Sequence, residues 1–173
     1  IVSADLPAGV VQAIYRQTAD VALYSLAAPT TMLTAAPTLA ANALAVGRWI
    51  RITVRGHVRD NSAGASFEFI VKLGSTNVVT SAVLNSTPTN DMTNRPFVFE
   101  ALLTCRTTGG SGSVMGQFTA TFVNSLLGVS FSGGGGSATT SAVTIDTTTT
   151  QVVEALAGAD VNDADVGITV TNA

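Results

Sequence analysis

Apolar and polar residues alternate most regularly between residues 48 and 73. From residue 50 to residue 59, every second position is apolar or glycine, and most of the positions between them are arginine. A second run, from residue 67 to residue 73, again has an apolar side chain at every second position. A period of two residues places alternate side chains on opposite faces of a β-strand. The pattern therefore predicts two strands, each with one buried face and one exposed face.

Residues 60–65 separate these two runs and contain Asn, Ser and Gly, which accept the backbone angles of turns. So short a separation favours an antiparallel hairpin in which the two strands pair directly. Pairing Val58 with Phe67 keeps both apolar sets on one face, whereas a shift of one residue would mix the faces. The same register places Phe69 opposite Gly56, where an aromatic ring can cover the glycine backbone. We expect this hairpin to form the centre of the domain.

The rest of the chain contains further strand-like runs, separated by loops rich in Gly, Pro, Ser and Thr. About eight strands at spacings of roughly ten residues predict an all-β fold, an antiparallel β-sandwich or jelly roll. Residues 19–173 are predicted to form this domain. Residues 1–18, which Pro7 and Gly9 interrupt, are predicted to be an N-terminal arm that lies on a neighbouring molecule. The additional strands are expected near residues 21–26, 78–84, 97–106, 114–122, 142–156 and 167–171.

The composition agrees with one β domain and argues against several classes of function. The chain has 173 residues, of which 46% are hydrophobic and only 11% are charged, with a net charge of −3. A sparsely charged surface rich in Thr and Ser is common in β proteins that pack against copies of themselves, and in secreted β modules. The acidic balance does not favour nucleic acid as a partner. The sequence shows neither a membrane-spanning run nor a signal peptide, so we expect cytoplasmic synthesis and no membrane partner.

The single cysteine and the single histidine limit the chemistry. One cysteine cannot form a disulfide within the chain, and Cys105 with His57 is too small a set for a zinc site. Cys105 falls on the apolar side of an alternating run, which predicts a buried core residue. His57 falls on the polar side of its strand, opposite Glu68 in the predicted hairpin. No cofactor is expected.

One acidic cluster is a candidate for calcium binding. Asp160, Asn162, Asp163 and Asp165 lie in one short loop, and hard cations take several oxygen ligands from such loops. Ala164 breaks the ligand spacing of an EF-hand, and no bidentate Glu follows. The alternative is a polar loop whose Asp and Asn side chains form hydrogen bonds with the backbone of the turn. We expect this polar loop, without a bound metal.

No other set of residues predicts catalysis. Glu68 and Glu100 lie on different predicted strands, and nothing in the sequence brings them together. The chain has no Gly-x-Ser-x-Gly motif to accompany His57. The four glycines at residues 133–136 are not followed by the Lys and the helix that a phosphate-binding loop requires, so they are interpreted as a flexible loop. We expect no enzymatic activity.

A candidate surface for a ligand or a partner lies on the polar side of the first strand. Trp49, Arg51, Arg55 and His57 alternate with the buried positions and should share one face. An exposed tryptophan beside arginines is typical of a sugar-stacking platform, and it is equally typical of a subunit interface. Both interpretations stay open at this stage.

The same segments resemble tailed-bacteriophage structural proteins. The resemblance rests on WIRITVRG (49–56), on Asn61 and Gly64 in the turn, on FEFIVKLGSTNVV (67–79) and on RPFVFEALLTCRTTG (95–109). In those proteins an RITxxG strand, an LRxKLGGT strand and an RPWxLEA strand follow one another. The present chain departs from the pattern at Ser75, which replaces the second glycine, and in its glycine-rich loop at 133–136.

The resemblance implies a jelly-roll or sandwich module of head-decoration, minor tail or fibre proteins. It implies a virion location, a homo-oligomer (a trimer in most members) and capsid or tail proteins as partners, without catalytic residues. The alternative is a carbohydrate-binding β-sandwich, such as an adhesin head that binds a host surface glycan. An exposed Trp49 or Tyr24 in a groove with polar neighbours would favour that alternative.

Overall fold

The computed structural model describes residues 15–60, 65–81, 84–85, 95–122, 141–160 and 165–173. These residues contain twelve strands and no helix. The strands are β1 (Val21–Tyr24), β2 (Thr30–Thr31), β3 (Thr38–Leu39), β4 (Trp49–Asp60), β5 (Ser66–Leu73), β6 (Thr76–Thr80), β7 (Leu84–Asn85), β8 (Arg95–Thr107), β9 (Gly112–Phe122), β10 (Val143–Ile145), β11 (Gln151–Ala159) and β12 (Val166–Asn172).

The strands form two antiparallel sheets that pack face to face. Sheet A has the order β1-β12-β4-β8-β9-β10, and sheet B has the order β2-β11-β5-β6, with β3 pairing with β11 and β7 with β5. The predicted all-β sandwich is confirmed. The expected number of about eight strands is too low, because short pieces such as β2 and β3 lie in segments whose sequence reads as loops.

Eight of the strands have the order of a jelly roll. In sheet A they run β1-β12-β4-β8, and in sheet B they run β2-β11-β5-β6, so the two ends of the chain interleave in both sheets. Strands β9 and β10 extend sheet A beyond β8. In this arrangement β1 and β2 lie in different sheets, and so do β4 and β5, and β11 and β12.

The predicted hairpin between β4 and β5 is therefore wrong. Val58 pairs with Arg95 and Ile168, and Phe67 pairs with Ala159. The chain crosses from one sheet to the other after Asp60, so β4 and β5 present their apolar faces to each other across the core. The alternation of apolar and polar residues correctly predicts the buried face of each strand. It does not distinguish two strands paired in a hairpin from two strands that face each other in different sheets.

Asp60 stabilises this crossing from inside the domain. It is almost fully buried, and its Oδ2 accepts a hydrogen bond of 2.9 Å from the backbone N–H of Ala65. A buried carboxylate needs such donors, because burial removes the water that would otherwise solvate it. The four residues between them lie outside the described residues.

Aromatic side chains join the two sheets in the core. Phe69 of β5 stacks on Phe97 and Phe99 of β8, with ring centroids 5.7 Å and 5.1 Å apart. Phe99 in turn contacts Phe118 of β9, 6.2 Å away. All four rings are almost completely buried. The stacking across the sheets shows why the phenylalanines of β5 and β8 occupy alternate positions: they form the interior layer of the sandwich.

Gly56 lies between neighbouring strands of sheet A at a point where a side chain has no room. The expected partner Phe69 is wrong; Gly56 pairs with Phe97 on one side and with Val170 on the other. A Cβ at this position would collide with the carbonyl oxygen of Thr169 and would lie 2.9 Å from Cε1 of Phe97. An aromatic ring does cover the glycine, but it comes from β8.

The described part of the predicted N-terminal arm lies on its own domain. The Tyr15 hydroxyl forms a 2.7 Å hydrogen bond with Oγ1 of Thr34. Gln17 is buried, its backbone N–H donates to the carbonyl of Ala173, and its Oε1 accepts the N–H of Thr34. Residues 1–14 of the predicted arm lie outside the described residues.

Candidate functional site

The outer face of sheet A carries the predicted platform. Trp49, Arg51, Arg55 and His57 all point away from the core, because the alternate positions of β4, from Val54 onward, are buried. Arg59 continues the same row. These five side chains, which we call the β4 stripe, extend about 33 Å along the third strand of the six-stranded sheet.

One end of the stripe is an ordered group of three side chains. Trp49 is 47% exposed, and the guanidinium carbon of Arg51 lies 5.5 Å from the centre of its ring. Nε of Arg51 is also 3.5 Å from Oε1 of Glu100 on the neighbouring strand β8. Exposed contacts of this kind contribute about 1 kcal/mol or less each. Their main effect is to hold Arg51 over the indole ring.

The middle of the stripe combines an exposed cation with an exposed apolar side chain. Arg55 pairs in register with Val98 of β8, and Val98 is 40% exposed. Among the described residues Arg55 takes part in no ion pair. Its guanidinium is therefore solvated, beside an apolar surface, and available to a negatively charged partner.

His57 has different neighbours from those predicted. It lies between Pro96 of β8 and Thr169 of β12, and not opposite Glu68. Glu68 lies on β5 in the other sheet, where it pairs with Gly158. The pairing of His57 with Glu68 is wrong for the same reason as the hairpin. Glu68 and Glu100 lie on different strands, as predicted, and those strands belong to different sheets.

The acidic cluster is only partly within the described residues. Asp160 Oδ1 accepts the backbone N–H of Ser66 at 2.8 Å, and Asp165 accepts a hydrogen bond from Arg59. Asn162 and Asp163 lie outside the described residues. In the part of the chain that the structure describes, no three potential metal ligands come together. The two described aspartates bind a backbone donor and an arginine from distant parts of the chain, and not the backbone of their own turn.

The structure also contains a cleft that the sequence does not indicate. It lies on the outer face of sheet B, where β5 begins and β11 ends, and has a volume of about 180 Å³. The carboxylates of Glu68 and Asp160 are its only charged groups among the described residues. Its other lining residues are Ala27, Pro29, Ser66, Gly158 and Ala159. We call it the acidic cleft.

The acidic cleft forms because β5 and β11, which are distant in sequence, pair in the fold. Glu68 and Asp160 are far apart in sequence, and they meet because β5 pairs with β11 in the register that sets Glu68 against Gly158. Pro29 packs over Gly158, 3.5 Å from where a Cβ would lie, and forms a wall. The pattern of the sequence contains no signal for this register, so the cleft was missed.

Cys105 is a buried core residue, as predicted. Burial raises the pKa of its thiol, so the protonated form is favoured. Its Sγ donates to the carbonyl of Thr107 at 3.4 Å. His57 points outward on β4 and Cys105 points inward on β8, so the two do not form a catalytic pair.

Comparisons with protein families, with characterised proteins and with solved structures gave no match for this chain. The described residues include no helix that is both long enough and apolar enough to cross a membrane.

Proposed function

We propose that this protein is a non-enzymatic structural module of a tailed-bacteriophage virion, a head-decoration, minor tail or fibre protein that associates with itself. The observation that carries the proposal is where the phage-like segments lie. WIRITVRG, FEFIVKLGSTNVV and RPFVFEALLTCRTTG form β4, β5 with β6, and β8, which are four of the eight strands of the jelly roll. The resemblance therefore covers the core of the fold and not an exposed loop.

The surface of the domain supports the same proposal. Among the described residues five large apolar side chains are exposed, and three of them, Tyr24, Trp49 and Val98, lie on the outer face of sheet A beside arginines. Trp and Arg are enriched, and other charged residues depleted, where proteins bury surface against each other. Such a protein would act passively, by burying surface between copies and against capsid or tail proteins and so stabilising the assembly by mass action.

The location in a virion can be tested directly. Phage particles should be purified on a density gradient from the bacterial strain that carries the gene and probed with an antibody against this chain. We expect the chain to co-purify with the particles, and immunogold labelling to place it on the head or on the tail. Particles that lack the chain, while it is abundant in the soluble fraction of the same lysate, would refute the proposal.

A carbohydrate-binding module is the second candidate, and the exposure of the aromatic side chains favours it. Trp49 and Tyr24 are 47% and 49% exposed. They lie at opposite ends of the outer face of sheet A, since Tyr24 pairs with Gly167, which neighbours Arg59. A single sugar ring therefore cannot lie between them, and a sugar would stack on Trp49 beside Arg51.

A glycan array distinguishes this candidate from the first. Binding that is lost in Trp49→Ala and kept in Tyr24→Ala, the matched variant at the far end of the same face, would establish a sugar platform at Trp49. Equal binding by all three proteins would remove Trp49 as the platform, and no binding by the wild type would remove the candidate.

A further inference from the structure

The two outer faces of the sandwich carry opposite charge. On sheet A, β4 directs Arg51, Arg55 and Arg59 outward, and the neighbouring β8 adds Glu100 and Arg106. Asp165, directly before β12, pairs with Arg59, so the positive charges outnumber the negative ones on this face. On sheet B, the outward charged residues of the strands are Glu68, Lys72 and Glu154, and Asp160 follows directly after β11. One face of each molecule is therefore complementary to the opposite face of another copy.

One arginine and one glutamate could form an ion pair between two such faces. Arg55 projects from the middle of the β4 stripe without an ion pair among the described residues. Glu68 likewise takes part in no ion pair with a described residue, and it lines the acidic cleft together with Asp160. A cleft of about 180 Å³ with two carboxylates is suited to an arginine side chain, whose planar guanidinium offers several donors to carboxylate oxygens.

Apolar surface lies beside the charges on both sides. Val98 is exposed next to Arg55, and Ala27 and Pro29 form the wall of the acidic cleft. Contact between Val98 and this wall would exclude water from the charged pair. Exclusion of water strengthens the attraction between guanidinium and carboxylate.

We propose that copies of this protein associate head to tail, with Arg55 of one copy inserted into the acidic cleft, against Glu68, of the next. This inference rests on the proposed self-association and names its surfaces. A head-to-tail contact uses two different patches and leaves one of each free at the ends of the assembly. Because the two faces point in opposite directions, the contact repeats as an open stack and does not close into the trimer that the phage resemblance implies.

The contact surface is small, which is typical of weak association. The β4 stripe and its two neighbouring strands cover about 30 Å by 15 Å, on the order of 450 Å². Stable interfaces usually bury about 800 Å² on each partner, so this contact belongs to the weak class, with dissociation constants of about 10–100 μM. Inside a virion, high local concentration would favour it.

Charge reversal provides a sharp test by sedimentation equilibrium over about 5–500 μM, a range that brackets the expected dissociation constants. We expect the weight-average mass of the wild-type protein to rise continuously with concentration, and less so in high salt. Arg55→Glu and Glu68→Arg should each weaken association at least about tenfold, because like charges then face each other. In an equimolar mixture of the two variants every contact again joins opposite charges, so association should return. Arg48→Glu, an equal change in charge at an exposed position before β4, should behave as the wild type.

Each other outcome overturns the inference. A mass that stays at three protomers at all concentrations and in both variants would keep the proposed self-association but refute the head-to-tail contact. A monomer at all concentrations would refute both. Loss of association in the single variants without recovery in the mixture would show that the two residues do not meet. If a reversed variant does not fold, judged by far-UV circular dichroism, Arg55→Gln and Glu68→Gln replace the pair, and we expect each to weaken association about threefold to tenfold.

Discussion

Replacing Gly56 by alanine should strongly destabilise the domain, because a side chain has no room there. The Cβ would collide with the carbonyl oxygen of Thr169 on β12 and would lie 2.9 Å from the ring of Phe97 on β8. The backbone contact cannot be relieved by rotation of a side chain, so two central strands of sheet A must move apart. Overpacking in a core usually costs about 1–3 kcal/mol, and a clash with backbone lies at or above the upper end of that range. We expect a loss of about 3 kcal/mol in the free energy of unfolding.

Urea denaturation followed by far-UV circular dichroism measures this loss, at a concentration low enough to keep the protein monomeric. The matched control is Gly110→Ala, in the turn between β8 and β9, where a Cβ would meet nothing within 4 Å. That variant should differ from the wild type by less than about 1 kcal/mol, and a small gain in stability is expected from the more restricted unfolded chain.

Phe97→Leu separates the two contacts of Gly56. In the double variant the smaller side chain removes the clash with the ring but leaves the clash with Thr169, so we expect it to recover only part of the loss caused by Gly56→Ala. A cost below about 0.5 kcal/mol for Gly56→Ala, within the range of ordinary surface substitutions, would refute the close approach of β12 and β4 at this position.

Three further predictions concern the core, the thiol and one turn. Phe69→Ala should cost about 4 kcal/mol in urea denaturation, since it leaves a cavity between the sheets, while Val98→Ala on the exposed face should cost less than about 0.5 kcal/mol. The thiol of Cys105 should react with a disulfide reagent only at the rate of unfolding, because it is buried and its pKa is raised; rapid reaction in the native protein would contradict its placement. The pKa of Asp146 should lie below its usual value, since its carboxylate accepts hydrogen bonds from the hydroxyl and the N–H of Thr148. The stabilisation from a lowered carboxyl pKa is present above the unfolded-state pKa and is lost as the pH falls through the lowered one. Thr148→Ala removes the hydroxyl and keeps the N–H, so it should raise the pKa of Asp146 part of the way in an NMR titration and remove the hydroxyl's share of the acid dependence.

For the candidate surface, the local sequence pattern predicts which side chains share a face but not which residues lie beside them. Trp49, Arg51, Arg55 and His57 could be assigned to one face from the sequence, because successive side chains of a strand must point to opposite sides. Their neighbours could not be assigned. Glu100 beside Arg51, and Val98 beside Arg55, depend on which strand lies next to β4 and in which register.

The sequence by itself determined the class of fold, the buried and exposed faces of the main strands and the burial of Cys105. These properties follow from the period-two pattern and from the balance of apolar residues, which act within single strands. The tertiary structure decided that β4 and β5 lie in different sheets, that Phe97 and not Phe69 covers Gly56, and that Glu68 and Asp160 share a cleft. The physical reason is that backbone hydrogen bonds join any two strands whose faces match, and several partners satisfy the same alternation. The choice among them depends on packing across the whole core, where the stacking of Phe69 on Phe97 and Phe99 joins the two sheets.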